Sequence, residues 1–452
     1  MAQGWKVAAL LWVGWLTGCT SYHAEPLDAE PHWPAGLNRL SLDPAQLPFH
    51  ELARHPFRPE DGLDMTEVAM LAVSHNPDLQ LARDDVGVAQ AQAFDAGLLP
   101  DPQFAYSPQI PETSTPGSNV IAFDVSLGYD LSALVLHHAR RAEADAHARH
   151  TDLLLLWQEW QVVGQARLLF VRIRAEEDSV ALLEAGVTLA TRLCDAEAHA
   201  LQQGDIALPA LSADRANLAS LRQQLSDMTR QLAQNRAALN GLLGLAPETR
   251  LTLTGAEQLN VPDEATARAR LSERAPQRPD LLALQAGYEA EDQRLRQAIL
   301  GQFPAINVGL LKARDNNGTN YHGYAVSFNL PIFNRNRGAI AIETATRHRL
   351  HDEYQNRLQS AWQEIVTLLN DMALQQKALD QLQQALDEQD RLQGRNATAL
   401  VEGTLDLAAY GTQEQVRLAR RLDVVTAREA LEEEKVALVT LIGGEFATGK
   451  AR

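Results

Sequence analysis

The sequence is poor in cysteine and in aromatic residues. Cysteine occurs only at positions 19 and 194 among 452 residues, and aromatic side chains make up 6% of the chain. Cys19 lies in an N-terminal processing signal and Cys194 in a helical pattern, so we expect no internal disulfide. Ala, Leu, Gln, Glu and Arg dominate instead, and this composition favours long helices.

Positive charge is scarce as well. Lys and Arg number 40 against 58 Asp and Glu, which gives a formal net charge of −18. We expect no nucleic-acid partner, because phosphate binding requires clustered Lys and Arg. An acidic surface keeps a protein soluble and an acidic duct favours cations, so the charge excess is compatible with either.

No catalytic or cofactor signature is recognisable, and we expect neither an enzyme nor a bound cofactor. Residues 444–450 have the spacing of a phosphate-binding loop, but Ala451 stands where Ser or Thr would bind magnesium. Two histidine pairs at helical spacing lack a third metal ligand, so no metal centre is predicted. These pairs are His147/His150 and His348/His351.

The N-terminal apolar run is too short for a membrane-spanning helix. The run at residues 7–16 is much shorter than the about 20 residues that such a helix needs, and its length is typical of a signal-peptide core. Leu16-Thr17-Gly18-Cys19 follows at once and resembles the bacterial lipobox. The resemblance implies a lipoprotein signal peptide at residues 1–18 and lipidation of Cys19.

The residues after Cys19 extend this prediction. Thr20 rather than Asp follows the cysteine, which in the lipoproteins that the segment resembles permits sorting to the outer membrane. Acyl chains contribute about 0.8 kcal/mol per buried methylene, so several of them hold a chain at a bilayer. Residues 19–62 are rich in proline and show no helical period, which predicts an extended, lipid-anchored segment.

The rest of the chain repeats itself after about two hundred residues. Arg278-Pro279-Asp280-Leu281 matches Asn76-Pro77-Asp78-Leu79, and residues 403–407 match residues 204–208. We therefore predict a tandem duplication. The first repeat covers residues 63–260, the second covers residues 261–444, and a tail covers residues 445–452.

Each repeat is predicted to contain a helix, a strand hairpin and a long helical hairpin. Residues 65–99 are predicted as one helical region, and residues 249–255 as a short strand in the segment that closes the first repeat. The apolar seam of the last long helix has a mean step near 3.5, the coiled-coil period. The strand hairpins are residues 103–131 and 304–333, and the helical hairpins are residues 133–244 and 338–442.

The strands alternate between apolar and small or polar residues. Residues 123–131 and 324–332 both show this period of two, which gives each strand one apolar and one polar face. A soluble sandwich would show the pattern, and so would a strand between lipid and a water-filled lumen. The residues predicted to face such a lumen are Asp124, Ser126, Asp130, Asn307, Ser327 and Asn329.

Four strands cannot close a membrane barrel alone. Bacterial membrane barrels start at eight strands, and an unpaired edge in lipid costs several kcal/mol per group. The strands therefore either lie on a soluble domain or combine with strands of other copies. The lipobox, the apolar strand faces and their aromatic residues favour the shared barrel.

With these features the chain resembles the TolC-type outer-membrane efflux factors, in the lipoprotein branch that works with resistance-nodulation-division pumps. The most specific marks are the paired Pro-Asp-Leu segments, Leu330-Pro331-Ile332-Phe333 before Arg337-Gly338, and the two glycine-marked helix tips. The resemblance implies a mainly α fold with a β-barrel contribution. In that fold a homotrimer shares a twelve-stranded barrel, and the duplicated helical hairpins form an α-barrel.

The resemblance also implies a function and its partners. The chain is expected to be a passive exit duct of a tripartite efflux system, in contact with outer-membrane lipid, a periplasmic adaptor and an inner-membrane pump. Asp406 is the candidate gate residue, and untwisting of the hairpins would open the duct. The tip residues expected to dock the adaptor are Gly204, Asp205, Ile206, Leu208, Gly403, Thr404, Leu405 and Leu407.

Two alternatives remain open from the sequence. A type I secretion duct for polypeptides shares the fold, and the lipobox and short tips only lean toward pump-linked efflux. A lipid-anchored periplasmic coiled-coil scaffold is a different class, and it predicts neither a trimer nor conductance.

Overall fold

Long helices and a small antiparallel sheet make up the structure, a computed structural model that describes residues 21–30, 33, 42–110, 112, 120–255, 259, 261, 265–269 and 275–443. This confirms the predicted fold class. The helices of eleven residues or more in these ranges are α1 Met65–His75, α2 Pro77–Ala96, α3 Leu131–Gln203, α4 Leu208–Leu242, α5 Pro279–Leu300, α6 Arg337–Val401 and α7 Leu407–Ile442. The strands are β1 Gln103–Gln109, β2 Ala122–Asp130, β3 Ile306–Arg314 and β4 Asn320–Phe328.

The two longest helices are rods. Helix α3 has 73 residues and α6 has 65, which at a rise of about 1.5 Å per residue gives lengths of about 110 and 98 Å. Each rod packs against the helix that follows it, α4 or α7, and α7 also packs on α3. Among the described helices, none combines the length and apolar character needed to cross a bilayer.

The four strands form one sheet in the order β1-β2-β3-β4, antiparallel throughout. The pairing of β2 with β3 joins the two repeats. Asp130 lies opposite Asn307, which lies opposite Ser327, so the carboxyl ends of β2 and β4 are at the same end of the sheet. Because α3 and α6 follow these two strands, both rods leave the sheet from that end.

Two predicted elements of the first repeat differ from the structure. Residues 65–99 form two helices, because Pro77 cannot continue α1 and Asn76 caps α2 by accepting from the Leu79 N–H at 3.0 Å. The strand predicted at residues 249–255 is a single parallel bridge between Leu63 and Leu253.

The fourth strand also differs from its prediction. It ends at Phe328 rather than near Ile332, and it begins at Asn320. The cause is the turn before it, in which Asp315 N–H donates to the Thr319 carbonyl at 3.0 Å and Gly318 has a φ of +88°. Pairing with β3 therefore starts directly after Thr319, four residues earlier than the alternation indicated.

The largest core cluster surrounds the middle of α3, where its buried residues run from Leu155 to Ile173. Phe49 and Leu52, from the segment predicted as extended, are fully buried, and the Phe49 ring lies 5.0 Å from the ring of Trp160 on α3. Glu51 forms an ion pair with the buried Arg167 at 2.6 Å. The N-terminal segment thus contributes core residues, and its prediction as extended is wrong at His50–Ala53, which form a short helix.

Equivalent side chains of the two repeats hold the ends of the returning helices. The amide of Asn76 donates to the Leu242 carbonyl at 3.0 Å, and the guanidinium of Arg278 donates to the Leu441 carbonyl at 3.1 Å. The last carbonyls of a helix have no partner within it, so each donor satisfies one of them. We call Asn76 and Arg278 the repeat clamps.

Candidate functional site

The pairing register assigns every strand residue to one of two faces. Residues directly opposite each other in an antiparallel sheet project from the same face. Asp124, for example, lies opposite Ser107 and Ala313, so these three share a face. The polar face thus defined consists of Gln103, Ala105, Ser107, Gln109, Ala122, Asp124, Ser126, Gly128, Asp130, Asn307, Gly309, Leu311, Ala313, Tyr321, Gly323, Ala325 and Ser327.

The opposite face is apolar over most of its height. Four of its aromatic side chains are more than half exposed: Phe104 at 69%, Tyr106 at 57%, Tyr324 at 86% and Phe328 at 55%. Its members are Phe104, Tyr106, Pro108, Phe123, Val125, Leu127, Tyr129, Ile306, Val308, Leu310, Lys312, Arg314, Asn320, His322, Tyr324, Val326 and Phe328. The alternation did not single out three of these, Lys312, Arg314 and His322, which are cationic or titratable.

In the described part of the chain, both outer edges of the sheet are open. Strands β1 and β4 each pair on one side only, and all of their residues are exposed. A row of unpaired N–H and C=O groups is a template for pairing with another strand. The sheet therefore offers two edges of nine residues or fewer to neighbouring chains.

Five of the six predicted lumen residues share the polar face: Asp124, Ser126, Asp130, Asn307 and Ser327. The prediction for Asn329 as a strand residue is wrong, since β4 ends one residue before it and only its N–H reaches back, to the Ala305 carbonyl at 3.4 Å. Asp130 has a local role too, because it caps α3 by accepting from the Ser132 N–H at 2.9 Å.

The two helix tips have the same backbone geometry. Gly204 and Gly403 end the rods with φ angles of +85° and +72°, a conformation that suits glycine. In the first tip the Asp205 N–H donates to the Ala200 carbonyl, and in the second the Thr404 N–H donates to the Ala399 carbonyl, both at 2.9 Å.

The tips carry exposed apolar side chains at their borders. Val401 is 89% exposed and Leu208 is 62% exposed, whereas Ile206 and Leu405 are half-buried. Leu208 and Leu407, predicted within the tips, are the first residues of α4 and α7. The connecting segments themselves are therefore short, residues 204–207 and 402–406.

The tips lie side by side at the same end of the molecule. Close contacts between α3 and α7 fix this arrangement: Gly411 faces Leu193, and Gly186 faces Leu418. Gly411 follows the second tip directly, and Leu193 precedes the first tip by about three helical turns. A partner that contacts one tip would therefore meet the other one nearby.

Asp406, the candidate gate residue, is exposed beside the second tip. It caps α7, because its carboxylate accepts the Ala409 N–H at 2.6 Å. This cap fixes where the carboxylate lies, and one carboxylate per chain can contribute to a ring only in an oligomer.

Two buried carboxyl groups have raised pKa values, and one of them, Glu197, lies just behind the first tip. Glu197 on α3 is 2% exposed, and its Oε2 has no hydrogen-bond partner in the described part of the chain. Burial, together with a hydrogen bond to Asp214 on α4 and the charge of that group, raises the pKa of Glu197 to about 7. Burial and the neighbouring Glu343 likewise raise the pKa of Glu291 on α5 to about 7.

The remaining predictions concern metals and the chain termini. His150 bonds through Nδ1 to the Ala283 carbonyl at 2.7 Å, and the described residues contain no cluster of three potential metal ligands. Cys19 and residues 444–450 lie outside the described residues.

One family model matches most of the second predicted repeat. The family model described as "Outer membrane efflux protein" matches residues 271–444, which coincide with most of the second repeat. Among proteins with curated functions, none matches this sequence.

Solved structures share the whole fold at low sequence identity. CusC is 16% identical with a TM-score of 0.70, over 92% of this chain and 99% of its own. CmeC of Campylobacter jejuni is 17% identical with a TM-score of 0.72, over 86% and 88%. The open state of MtrE of Neisseria gonorrhoeae is 16% identical with a TM-score of 0.71, over 94% and 97%.

Proposed function

We infer that this chain, which carries an outer membrane efflux protein domain at residues 271–444 within a TolC-type fold, is the outer-membrane exit duct of a tripartite efflux system. It is a passive channel rather than an enzyme. Substrates reach it from an inner-membrane pump through a periplasmic adaptor, enter the tunnel between the helices and leave through the strands.

The observation that carries the proposal is the sheet with one polar face, one apolar face and two open edges. Four strands are too few to close in a bilayer, and open edges do not occur in the hydrocarbon region. Three copies would supply twelve strands if β4 of each copy pairs with β1 of the next. The apolar faces would then contact lipid, and the polar faces would line a water-filled lumen.

The rods supply the second half of the duct. Because both leave the sheet from the same end, a trimer places six rods and their return helices around one axis. This tunnel would cross the periplasm, with the tandem repeats, residues 63–260 and 261–444, giving an approximately sixfold arrangement.

The tips are proposed as the adaptor-binding end. Gly204, Asp205, Ile206 and Leu208 from the first hairpin lie beside Gly403, Thr404, Leu405 and Leu407 from the second. Gly204 and Gly403 share a left-handed backbone conformation, and this likeness of the two tips supports equivalent docking of adaptor subunits on both repeats. Three copies of Asp406 would form an acidic ring near the narrow end of the tunnel.

Lipidation of Cys19 is proposed as the membrane anchor at the start of the mature chain. The burial of Phe49 and Leu52 against α3 supports a fixed path for the segment that follows it. The acyl chains would then sit in the inner leaflet of the outer membrane, next to the end of the sheet from which the rods emerge.

Fractionation and conductance test the proposal together. A channel is recovered from the outer-membrane pellet as a heat-modifiable trimer and conducts in planar bilayers, and a cross-link between tips of neighbouring chains abolishes that conductance. An extractable monomer or dimer without conductance would instead identify a periplasmic scaffold. Conductance that survives the tip cross-link would contradict the proposed gate.

A further inference from the structure

The acidic and basic residues of the sheet lie on opposite faces. Both acidic residues in the strands, Asp124 and Asp130, are on the polar face, whereas Lys312, Arg314 and His322 are on the apolar face. In a chain with a net charge of −18, such a separation requires a specific explanation.

The cationic residues occupy neighbouring positions. Lys312 lies directly opposite His322, and Arg314 is two residues further along β3, opposite Asn320. On the other side, Lys312 and Arg314 lie opposite Val125 and Phe123. We call Lys312, Arg314 and His322 the basic corner, since they lie where β3 and β4 approach their connecting turn.

The basic corner lies at the end of the sheet remote from the rods. Arg314 is eight residues from Ile306, which at about 3.4 Å per residue is about 27 Å along the strand. Given the proposed function, on which this inference rests, the rods point into the periplasm and the basic corner lies at the outer leaflet. A cation on a lipid-exposed face is tolerated near the headgroups and not at the bilayer midplane.

Nearby carboxylates do not neutralise the basic corner. Asp315 is held by the turn, accepting from Asn317 and Thr319 N–H groups, and by the Tyr321 hydroxyl of the polar face at 2.9 Å. The side chain of Asp124 accepts from Gln109 on the polar face at 3.3 Å. Among the described residues, Lys312 and Arg314 form no ion pair, and the buried Nε of Arg314 has no hydrogen-bond partner.

Aromatic rings border the basic corner. Tyr106 and Phe123 contact each other on the same face, with ring centroids 6.4 Å apart, and Phe123 lies opposite Arg314. Aromatic residues collect at membrane interfaces. Guanidinium groups bind phosphate through paired hydrogen bonds, and ammonium groups bind it as point charges.

We propose that the basic corner binds the phosphate groups of outer-leaflet lipid headgroups, so that each protomer of the channel holds a phosphorylated lipid against the outside of β3 and β4. The basic corner recognises the ligand by its phosphates at the headgroup level. The apolar residues of the same face, beginning with the neighbouring pair Leu310 and Tyr324, contact its acyl chains.

The test uses the purified channel and counts bound lipid by native mass spectrometry. The probes are bisphosphorylated lipid A, the same lipid without phosphate, and inorganic phosphate. The test variant combines Lys312→Gln, Arg314→Gln and His322→Gln. The matched control removes the same side-chain types from the exposed surface of α6, with His348→Gln, Lys377→Gln and Arg395→Gln.

We expect the wild type and the control to bind the bisphosphorylated lipid. The test variant should bind it at least about tenfold more weakly, since each cation near a phosphate surface contributes to the binding free energy. A charge-preserving variant, Lys312→Arg with Arg314→Lys, retains most binding and shows that the sheet still assembles. Lipid without phosphate binds equally to all variants.

Two outcomes would overturn the proposal: equal binding of the bisphosphorylated lipid by the test variant and wild type, or competition by inorganic phosphate at concentrations similar to the lipid, which would indicate a soluble anion site. Conductance recorded on the same samples separates the two inferences. If the wild type conducts but the test variant binds lipid as well as the wild type does, only the lipid-binding inference is refuted. If the wild type never conducts, the proposed function is refuted.

Discussion

Glu197 shows how the burial of a single carboxyl group makes the stability of the fold depend on pH. Its pKa in the folded chain is about 7, above the ordinary value of a glutamate, so the folded state holds the proton more tightly than the unfolded state. The stability that this provides is complete below the ordinary pKa and is lost as the pH rises through about 7.

Glu197→Gln should remove this pH dependence. We expect the variant to be more stable than the wild type at pH 8, by roughly 1–3 kcal/mol, and about equally stable at pH 5. Thermal unfolding of the two proteins at the two pH values measures the difference. Glu184→Gln, an exposed position on the same helix, is the control, and equal pH profiles for Glu197→Gln and wild type would contradict the prediction.

The repeat clamp Arg278 should be among the most sensitive single positions. It is 1% exposed, makes bonds of 3.0 and 2.8 Å to Asp280, and lies over the ring of Trp157. Arg278→Met leaves the buried Asp280 with Arg357 alone, and removing one partner of a buried pair costs about 3–5 kcal/mol.

Denaturant unfolding checks this cost. Arg349→Ala serves as the control, because its ion pair with Glu353 is exposed and should contribute less than about 1 kcal/mol. If the two variants lost similar stability, the clamp would not have the structural role assigned to it.

At the scale of helices and strands, the close packing of α3 on α7 depends on a missing side chain. A Cβ at Gly164 would lie 2.6 Å from Thr440 Oγ1, and the Thr440 carbonyl accepts from the Trp160 indole at 2.9 Å. We expect Gly164→Ala to destabilise the chain by about 1–3 kcal/mol through overpacking.

A compensating change sharpens this prediction. Thr440→Ala removes the obstructing atoms and should recover most of the loss in a double variant. Gly241→Ala on α4 meets nothing within 4 Å and should instead be neutral or stabilising by up to about 1 kcal/mol. Unfolding midpoints for the four variants decide the matter; a double variant no better than Gly164→Ala would rule out the contact.

Local chemistry made most of the elements predictable. Strand β1 begins at the first residue of the predicted hairpin, and the two helical hairpins begin and end within two residues of their predicted bounds, because glycines and prolines mark most of these ends. The start of β4 was missed, since pairing with β3 and the Asp315 turn override the alternation. The burial of Phe49 depends on contact with Trp160, more than a hundred residues away along the chain, and no local pattern encodes it.

In the candidate site, too, some features could be predicted from the sequence and others could not. The polar face followed from the period of two, and the glycine tips followed from the repeat. The capping roles of Asp130 and Asp406, and the clamps of Asn76 and Arg278, became visible only with the structure, because each depends on where a helix end lies in space.

For the whole molecule, the acidic residues of the polar face should set ion preference. In a trimer, three copies of Asp124 would surround the lumen, and an acidic lumen attracts cations. Asp124→Asn should lower the ratio of cation to anion permeability, whereas Asp124→Glu should preserve it. Reversal potentials in a salt gradient measure the ratio, and an unchanged ratio in Asp124→Asn would place this residue away from the pore.

The pairing of edge strands between copies is the central claim, and cysteine cross-linking measures it most directly. Ala105→Cys on β1 would be combined with one of Tyr321→Cys, Gly323→Cys, Ala325→Cys or Ser327→Cys on β4, all on the polar face, in a Cys194→Ser background. A disulfide forms only between closely opposed positions, with Cα atoms about 4–7 Å apart. The account predicts that one of these pairs gives a ladder of linked chains that stops at the trimer. No cross-link with any pair, or a ladder that continues past three chains, would contradict it.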